Sequence, residues 1–409
     1  MSFLGGVFGS KRKQFGQKAF EMMRANPAVA SAEYDGDAFE ISYLSHDGTR
    51  GRMNLTTVFR RCENASPAEA QEMLHNFVSH GPGLGGPEVP QGWEAVAPHV
   101  RPLIRQAGEL ATRMEGQLVS GHVLWRPVLP CLMETLVIDQ PTSMPRVHPS
   151  QLAEWGVDAA TVFATARANL TGLALDTVAN YDPAANGGML HIPDTSGDLY
   201  AGSLPLVDGW LAGIGAKAGA RPIVFIAQNT GVLVGVEYSD RHVLHLVNTA
   251  RELFDNAVRE VSPVPYTLDE AGRLIPYRVP PNHLAAHEIG SAECTLTARV
   301  YGHQYDHLRA DLDAGIIEDY AAKVMHVRAQ DGTELTFTTW TDTVPSLLPR
   351  TDNVVLVDPA TSDSLSVTWE TLESAVPLPA AEGIYPPRYH AHFHPAPDIM
   401  AHLRAAGVA

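Results

Sequence analysis

The segment from residue 198 to residue 278 constrains the fold of this chain more than any other part of the sequence. It contains two apolar stretches, Ile223 to Gln228 and Val232 to Tyr238, which are separated by a short turn. A long amphipathic stretch follows, and two shorter strand patterns then flank Asp269 to Gly272. Strand pairs with tight turns and a helix between them favour an α+β architecture. We therefore predict an α+β fold with layered mixed and antiparallel sheets and helices in two or three units, plus a smaller β-rich C-terminal unit.

The composition limits the classes of partner. The chain has 409 residues, 45% of them hydrophobic, and a formal net charge of -17. It is long enough for several domains with their own cores. Because nucleic acids and anionic membranes are themselves negative, the excess of acidic groups disfavours binding to either. No apolar run reaches the roughly 20 residues of a spanning helix. The composition thus predicts no nucleic-acid partner and no membrane span.

The cysteines and the N-terminus indicate the compartment. Cys62, Cys131 and Cys294 are odd in number and far apart, which disfavours a disulfide framework and favours a reducing environment. At the N-terminus, apolar residues precede the basic ones, the reverse of a secretory signal. We expect a cytoplasmic protein. Arg60 and Arg61 precede Cys62 and could lower its pKa, although an isolated thiol is more typical of a structural residue.

Turn and breaker residues divide the chain into four predicted parts. The pair Pro280 and Pro281 marks a boundary, because prolines cannot continue a helix or a central strand. We predict an N-terminal α+β lobe over residues 14–90, a central α+β lobe over 118–280, a C-terminal mixed α+β or β-rich unit over 283–376, and a Pro/His-rich tail with a short helix over 377–409.

Several elements are predicted from local patterns. Ser66 to Glu69 is typical of a capped helix start, and residues 149–170 predict one long helix. Near the C-terminus, Cys294 to Val300 predicts a strand and Tyr305 to Gly315 a helix. A turn at 331–332 predicts a hairpin between 322–328 and 335–340. The apolar segment 344–350 is a candidate partner-binding loop, with an ordinary connection over the core as the alternative.

A series of short phrases occurs in order along the first two thirds of the chain. They are the strand-rich opening Ala32 to Phe77, then Arg126-Pro127-Val128, Ala168-Asn169-Leu170, residues 198–203, and Gly272 to Pro276. In order and spacing they resemble the YtpQ-like family of bacterial proteins, a domain of unknown function, over about residues 14–278. The resemblance implies a layered α+β fold and a cytoplasmic bacterial protein, and it supplies no catalytic set. Extra residues at 181–192 and the C-terminal unit depart from the family.

Two histidine clusters are the candidate metal sites. His303 and His307 are four residues apart, so on a helix they share one face and can bind one metal ion. With Asp306 they resemble an inverted zinc-protease motif in which Asp replaces Glu. On a strand, the alternate histidines of residues 390–394 would lie on one side. The candidate ligands are therefore His303, His307, His390, His392 and His394, and the candidate metal is zinc. No other cofactor is predicted.

Each cluster also has a simpler interpretation. The helical pair could be solvated polar residues, and the prolines around residues 390–394 are typical of an irregular exposed segment. The acidic residues between Asp311 and Asp319 are interpreted as a solvated, charged helix end.

Two function hypotheses follow. The first is a non-enzymatic protein-interaction, scaffold or regulatory protein, because no complete catalytic set is present. It requires a protein partner and is compatible with a homo-oligomer. The alternative is a metal-dependent hydrolase that uses His303, Asp306 and His307, with His390, His392 or His394 as additional ligands. Elemental analysis of the purified protein discriminates between them.

Overall fold

The computed structural model describes residues 4–36, 38–63, 65–80, 84, 92–114, 117–140, 144–194, 200–229, 231–257, 259–330 and 332–407. Helices and several mixed or antiparallel sheets make up this part of the chain, which confirms the α+β prediction. None of the described helices is both long enough and apolar enough to cross a membrane.

The helices are distributed along the whole chain. They are α1 (Leu4–Ala25), α2 (Thr56–Glu63), α3 (Pro67–Ser79), α4 (Trp93–Val96), α5 (Ser150–Trp155), α6 (Ala159–Ala168), α7 (Thr171–Asn180), α8 (Trp210–Ala218), α9 (Asp240–Asp255), α10 (Ala286–Asp313), α11 (Trp369–Ala375) and α12 (Pro397–Ala406).

The strands that precede α10 form four sheets in the described part of the chain. They are β1 (Val29–Asp35), β2 (Glu40–Ser45), β3 (Arg50–Asn54), β4 (Val100–Gln106), β5 (Arg113–Met114), β6 (Gln117–Leu118), β7 (Trp125–Leu129), β8 (Leu132–Ile138), β9 (Leu190–Pro193), β10 (Pro222–Phe225), β11 (Gly231–Val236), β12 (Pro265–Leu268) and β13 (Leu274–Pro276). The sheet orders are β1-β2-β3, β4-β8-β7, β5-β6 and β13-β12-β10-β11-β9.

The C-terminal strands form two further sheets. They are β14 (Tyr320–Ala321), β15 (Met325–Arg328), β16 (Glu334–Thr341), β17 (Ser346–Pro349), β18 (Asn353–Asp358), β19 (Asp363–Thr368) and β20 (Arg388–Ala391). Their orders are β14-β17-β20 and β15-β16-β18-β19.

Strands β10 and β11 lie at the centre of the five-stranded sheet, as their unbroken apolar sequence predicts. Side chains alternate between the two faces of a strand. Ile223 and Phe225 pack with α9, whereas Val224 and Ile226 pack with the cluster that contains Trp210 of α8. Both faces are thereby covered. This explains why the strands show no polar alternation.

The predicted capped start of α3 is confirmed. The Ser66 side chain accepts a hydrogen bond from the backbone N–H of Glu69, and the Glu69 carboxylate accepts one from the backbone N–H of Ser66. The predicted single helix over 149–170 is wrong. Gly156 adopts a left-handed conformation that ends α5, and Asp158 accepts a hydrogen bond from the backbone N–H of Thr161 at 2.7 Å, which begins α6.

The predicted strand over Cys294 to Val300 is also wrong, because α10 runs without a break through this stretch. Ala292, Leu296 and Val300 recur at helical spacing and are buried in the central core. The helix packs so closely on residues 107–111 that a Cβ at Gly108 would lie 2.9 Å from the carbonyl oxygen of Val300. The β-branched residues of this stretch favour a strand locally, but burial of one helical face decides its conformation.

Two other C-terminal predictions have different outcomes. The hairpin is confirmed, since β15 pairs antiparallel with β16; residue 331 of its turn lies outside the described residues. The partner-binding-loop interpretation of 344–350 is wrong for Ser346–Pro349, because β17 is buried along its whole length. This burial agrees with the alternative, a connection that covers the core. The Pro/His-rich tail likewise contributes a sheet strand, β20, before its predicted short helix, α12.

A fragment of residues 283–409 is expected to lack a cooperative unfolding transition. Its first helix, α10, places Ala292, Leu296 and Val300 in the central core, so removal of residues 1–282 would expose that apolar face to water. Circular dichroism during a urea titration tests this. A fragment that unfolds in one sharp transition would show that the C-terminal unit folds alone, as the predicted boundary at residue 283 requires.

Candidate functional site

A group of three polar residues meets at the sheet β14-β17-β20. Asp319 directly precedes β14, which pairs parallel with β17. On the other side, β17 pairs antiparallel with β20, so that Leu347 lies opposite His390. His392 follows the end of β20. We call Asp319, His390 and His392 the sheet-edge triad. The sheet brings together residues that are 71 positions apart in the chain.

The ligand atoms of the sheet-edge triad lie close enough together to hold a metal ion. The Nδ1 atom of His390 lies 2.6 Å from Oδ2 of Asp319, and Nε2 of His392 lies 3.9 Å from the same oxygen. One ligand atom from each residue lies within 4.8 Å of the others. Tetrahedral ligands about 2.0–2.1 Å from zinc are separated by roughly 3.3 Å, so small side-chain movements would bring these atoms into a coordination shell.

Burial differs across the sheet-edge triad. The Asp319 side chain is 16% exposed, whereas those of His390 and His392 are 40% and 51% exposed. The carboxylate is therefore held against the protein, while the imidazoles face solvent. A metal ion with these three ligands would keep at least one coordination position open to water or to a donor atom from another molecule.

His303 and His307 form a separate pair on α10. Their Nε2 atoms lie 3.4 Å apart, as the four-residue spacing on a helix predicts. Burial and the neighbouring His303 lower the pKa of His307. Asp306 is exposed on the same helix. Among the described residues, no third His, Cys, Asp or Glu completes this pair within the 4.8 Å reached by the sheet-edge triad.

His394 lies apart from the two histidines that precede it. Its backbone N–H donates to Oδ1 of Asp342 at 2.8 Å, and its Nε2 lies 2.9 Å from the carbonyl oxygen of Trp340. The ring packs edge-on against that tryptophan. Because β20 ends at Ala391, the strand alternation that would keep three histidines on one side does not extend to His394.

Asp319 is a candidate ligand that the sequence patterns do not indicate. The sequence pattern groups it with Asp311 and Asp313 as a solvated helix end, but α10 ends at Asp313, and Asp319 directly precedes the strand β14. Asp311 is itself buried and paired with Arg113, whose Nε lies 2.7 Å from its Oδ2. The only local signal was a carboxylate next to a short strand pattern. Its proximity to His390 depends on sheet pairing.

The three thiols are not activated. Burial raises the pKa of Cys62 and raises those of Cys131 and Cys294 to about 12. At Cys62 this effect of burial on the pKa exceeds the opposing effect of Lys18, and the side chains of Arg60 and Arg61 lie outside the described part of the structure. Because the thiolate is the nucleophilic form, all three side chains stay protonated and unreactive at neutral pH.

No family model matches this sequence, and comparisons with curated proteins and with solved structures give no match. The similarity to the YtpQ-like family therefore stays a prediction.

Proposed function

We propose that this chain is a non-enzymatic interaction protein that binds a divalent metal ion of the zinc type through the sheet-edge triad. The observation that carries the proposal is the convergence of one carboxylate and two imidazoles on a single sheet. Imidazole nitrogen and carboxylate oxygen are ordinary zinc ligands. A cytoplasmic location agrees with the three free cysteines, and the resemblance to a bacterial family without a catalytic set agrees with a binding role.

The open coordination position supports a role in partner binding. A donor side chain from a protein partner could complete the metal shell. Phe393, which follows His392, is 71% exposed and offers apolar surface beside the site. Large exposed aromatic groups are enriched where proteins bind one another. Coordination to the metal would orient the partner, and the ring of Phe393 would bury apolar surface against it. A small interface could then suffice.

Metal-dependent hydrolysis is the second candidate, because three protein ligands and an open position also characterise catalytic zinc sites. The sheet-edge triad favours it over the helical pair, since His303 and His307 supply only two ligands. Turnover of an ester, peptide or phosphodiester by the zinc-loaded protein, and its loss on Asp319→Asn substitution, would favour hydrolysis over partner binding.

Zinc titration of the untagged protein is expected to show one site whose affinity falls at least about 100-fold in the His392→Ala variant. Each lost ligand removes a metal–donor bond, and changes even beyond the ligand shell cost about 10–100-fold. Asp319→Asn is expected to act in the same direction. A chelator competition assay followed by elemental analysis measures both effects.

His402→Ala is the matched control, because His402 is exposed on α12 and belongs to no ligand group among the described residues. His303→Ala tests the helical pair separately. Equal zinc affinity for the parent, His392→Ala and Asp319→Asn would remove the sheet-edge triad as the site.

A further inference from the structure

A small cavity is lined by residues far in sequence from the sheet-edge triad. It lies between β4, residues 200–203 and the end of β10, and has a volume of about 60 Å³. One water occupies about 30 Å³ in the liquid, so the cavity has room for a small ion or one functional group. The polar residues that line it are Arg105, Asp194, Tyr200, Ser203, Asn229 and Arg259.

Two of these residues bring positive charge to the cavity. The Arg105 guanidinium donates to the carbonyl oxygen of Ile104 at 2.8 Å, and no ion pair holds it among the described residues. Burial lowers its pKa to about 10, with Glu109 opposing this shift and Arg259 and Arg146 adding to it. Glu109 is already engaged by Arg146, at 3.0 Å. The guanidinium groups of neighbouring arginines repel one another, although the chain as a whole has a net charge of -17. A bound anion would offset this local positive charge.

Two neutral donors in the cavity make no side-chain hydrogen bond within the described part of the chain. Ser203 is 3% exposed, and its hydroxyl makes no hydrogen bond to any described residue. The side-chain amide of Asn229 likewise has no partner there, although its backbone N–H donates to the carbonyl oxygen of Arg259 at 3.1 Å. Asn229 is half-buried, and both side chains line the cavity. A ligand rich in acceptor atoms could therefore accept a hydrogen bond from each of them.

The backbone that carries Ser203 is held in an uncommon conformation. Tyr200 has a φ of 55° and a ψ of 28°, in the left-handed region that bulky residues rarely adopt. It starts the buried 3-10 segment Ala201–Leu206. A Cβ at Gly202 would lie 3.4 Å from the carbonyl oxygen of Gly231. Strained backbone is concentrated at ligand sites, where surrounding structure maintains it.

We propose that this cavity binds inorganic hydrogen phosphate. Two guanidinium groups, a hydroxyl and an amide offer more donors than a planar carboxylate can accept, whereas a tetrahedral oxyanion presents four oxygens. Asp194 would favour hydrogen phosphate over anions that carry no proton. Its carboxylate is buried and already has a partner, but a carboxylate has about four lone-pair positions and can also accept the proton of hydrogen phosphate. Sulfate has no proton to donate at neutral pH, and a phosphate monoester loses its last proton near pH 6.

Isothermal titration of the full chain with inorganic phosphate, sulfate, acetate and a phosphate monoester, at pH 8 and constant ionic strength, tests the proposal. Saturable binding of phosphate is expected, with each other anion at least about tenfold weaker. Arg105→Gln and Ser203→Ala are each expected to weaken phosphate binding by about tenfold, which corresponds to roughly 1.4 kcal/mol. Asp194→Asn is expected to lower the ratio of the affinity for phosphate to the affinity for sulfate.

The control is Arg404→Gln, because Arg404 is exposed and paired with Asp363 at 2.7 Å, away from the cavity. Arg259→Gln provides a second cavity variant, because the exposed side chain of Arg259 makes no hydrogen bond or ion pair with another described residue, and circular dichroism verifies the fold of each variant. No saturable phosphate binding, tighter binding of acetate, or equal phosphate affinity in the parent and folded Arg105→Gln and Arg259→Gln variants would each overturn the proposal.

Discussion

Substitution of Arg388 by methionine is expected to destabilise the protein by at least about 3 kcal/mol. Arg388 is completely buried. Its guanidinium donates to the carbonyl oxygens of Ala322 at 2.7 Å, Leu347 at 2.9 Å and Tyr301 at 3.2 Å, and also to the side chain of Gln304. The contacts join α10 to the sheet β14-β17-β20. Burial lowers the pKa of Arg388 to about 10, so the side chain remains charged at neutral pH.

Methionine replaces only the aliphatic part of the arginine side chain and donates no hydrogen bond, so the carbonyl oxygen of Ala322 and the side-chain oxygen of Gln304 lose their buried donor. The carbonyl oxygen of Leu347 keeps the backbone N–H of Ala322 at 3.1 Å. Urea unfolding monitored by tryptophan fluorescence measures the effect, since Trp340 and Trp369 lie in the same unit. Arg404→Met is the matched control, because its ion pair is exposed and such pairs contribute about 1 kcal/mol or less. Equal transition midpoints for the parent and Arg388→Met would contradict the structural role of Arg388.

Substitution of Glu134 by glutamine is expected to cost roughly 2–4 kcal/mol of unfolding free energy, somewhat less than the loss of a fully buried ion pair. The Glu134 side chain is completely buried in β8. Its carboxylate accepts from Nε of Arg126 at 2.7 Å and from Nη2 of Arg167 at 2.6 Å. These arginines come from β7 and α6, so one carboxylate ties a helix to a sheet.

Glutamine keeps the shape of the side chain but leaves two neighbouring guanidinium groups without a counter-ion. Both arginines are partly exposed to solvent, which limits the loss of unfolding free energy. Thermal unfolding followed by circular dichroism measures the change, and Asp363→Asn, which breaks an exposed pair, is the control. A melting temperature for Glu134→Gln no lower than that of Asp363→Asn would show that solvent already screens the network.

The candidate sites differ in whether their contacts are local in the sequence. The spacing of His303 and His307 predicted their contact, because helix geometry is local. The meeting of His390 with Asp319 could not be predicted in this way, since it depends on two strand pairings with β17. The cavity for which we propose phosphate binding could not be predicted from the sequence either, because Arg105, Ser203 and Arg259 belong to no motif and come together only in the folded chain.

The sequence by itself determined the elements whose signals lie within a few residues: the capping box at Ser66, the β15-β16 hairpin, the buried pair β10-β11 and, from these, the α+β class. Only the tertiary structure decided that Cys294 to Val300 is helical, because burial of one face against the central core outweighs local strand propensity. It also decided that the buried Arg388 connects α10 to the sheet β14-β17-β20 through hydrogen bonds. Contacts between residues far apart in sequence depend on which surfaces exclude water together, and no local pattern encodes that choice.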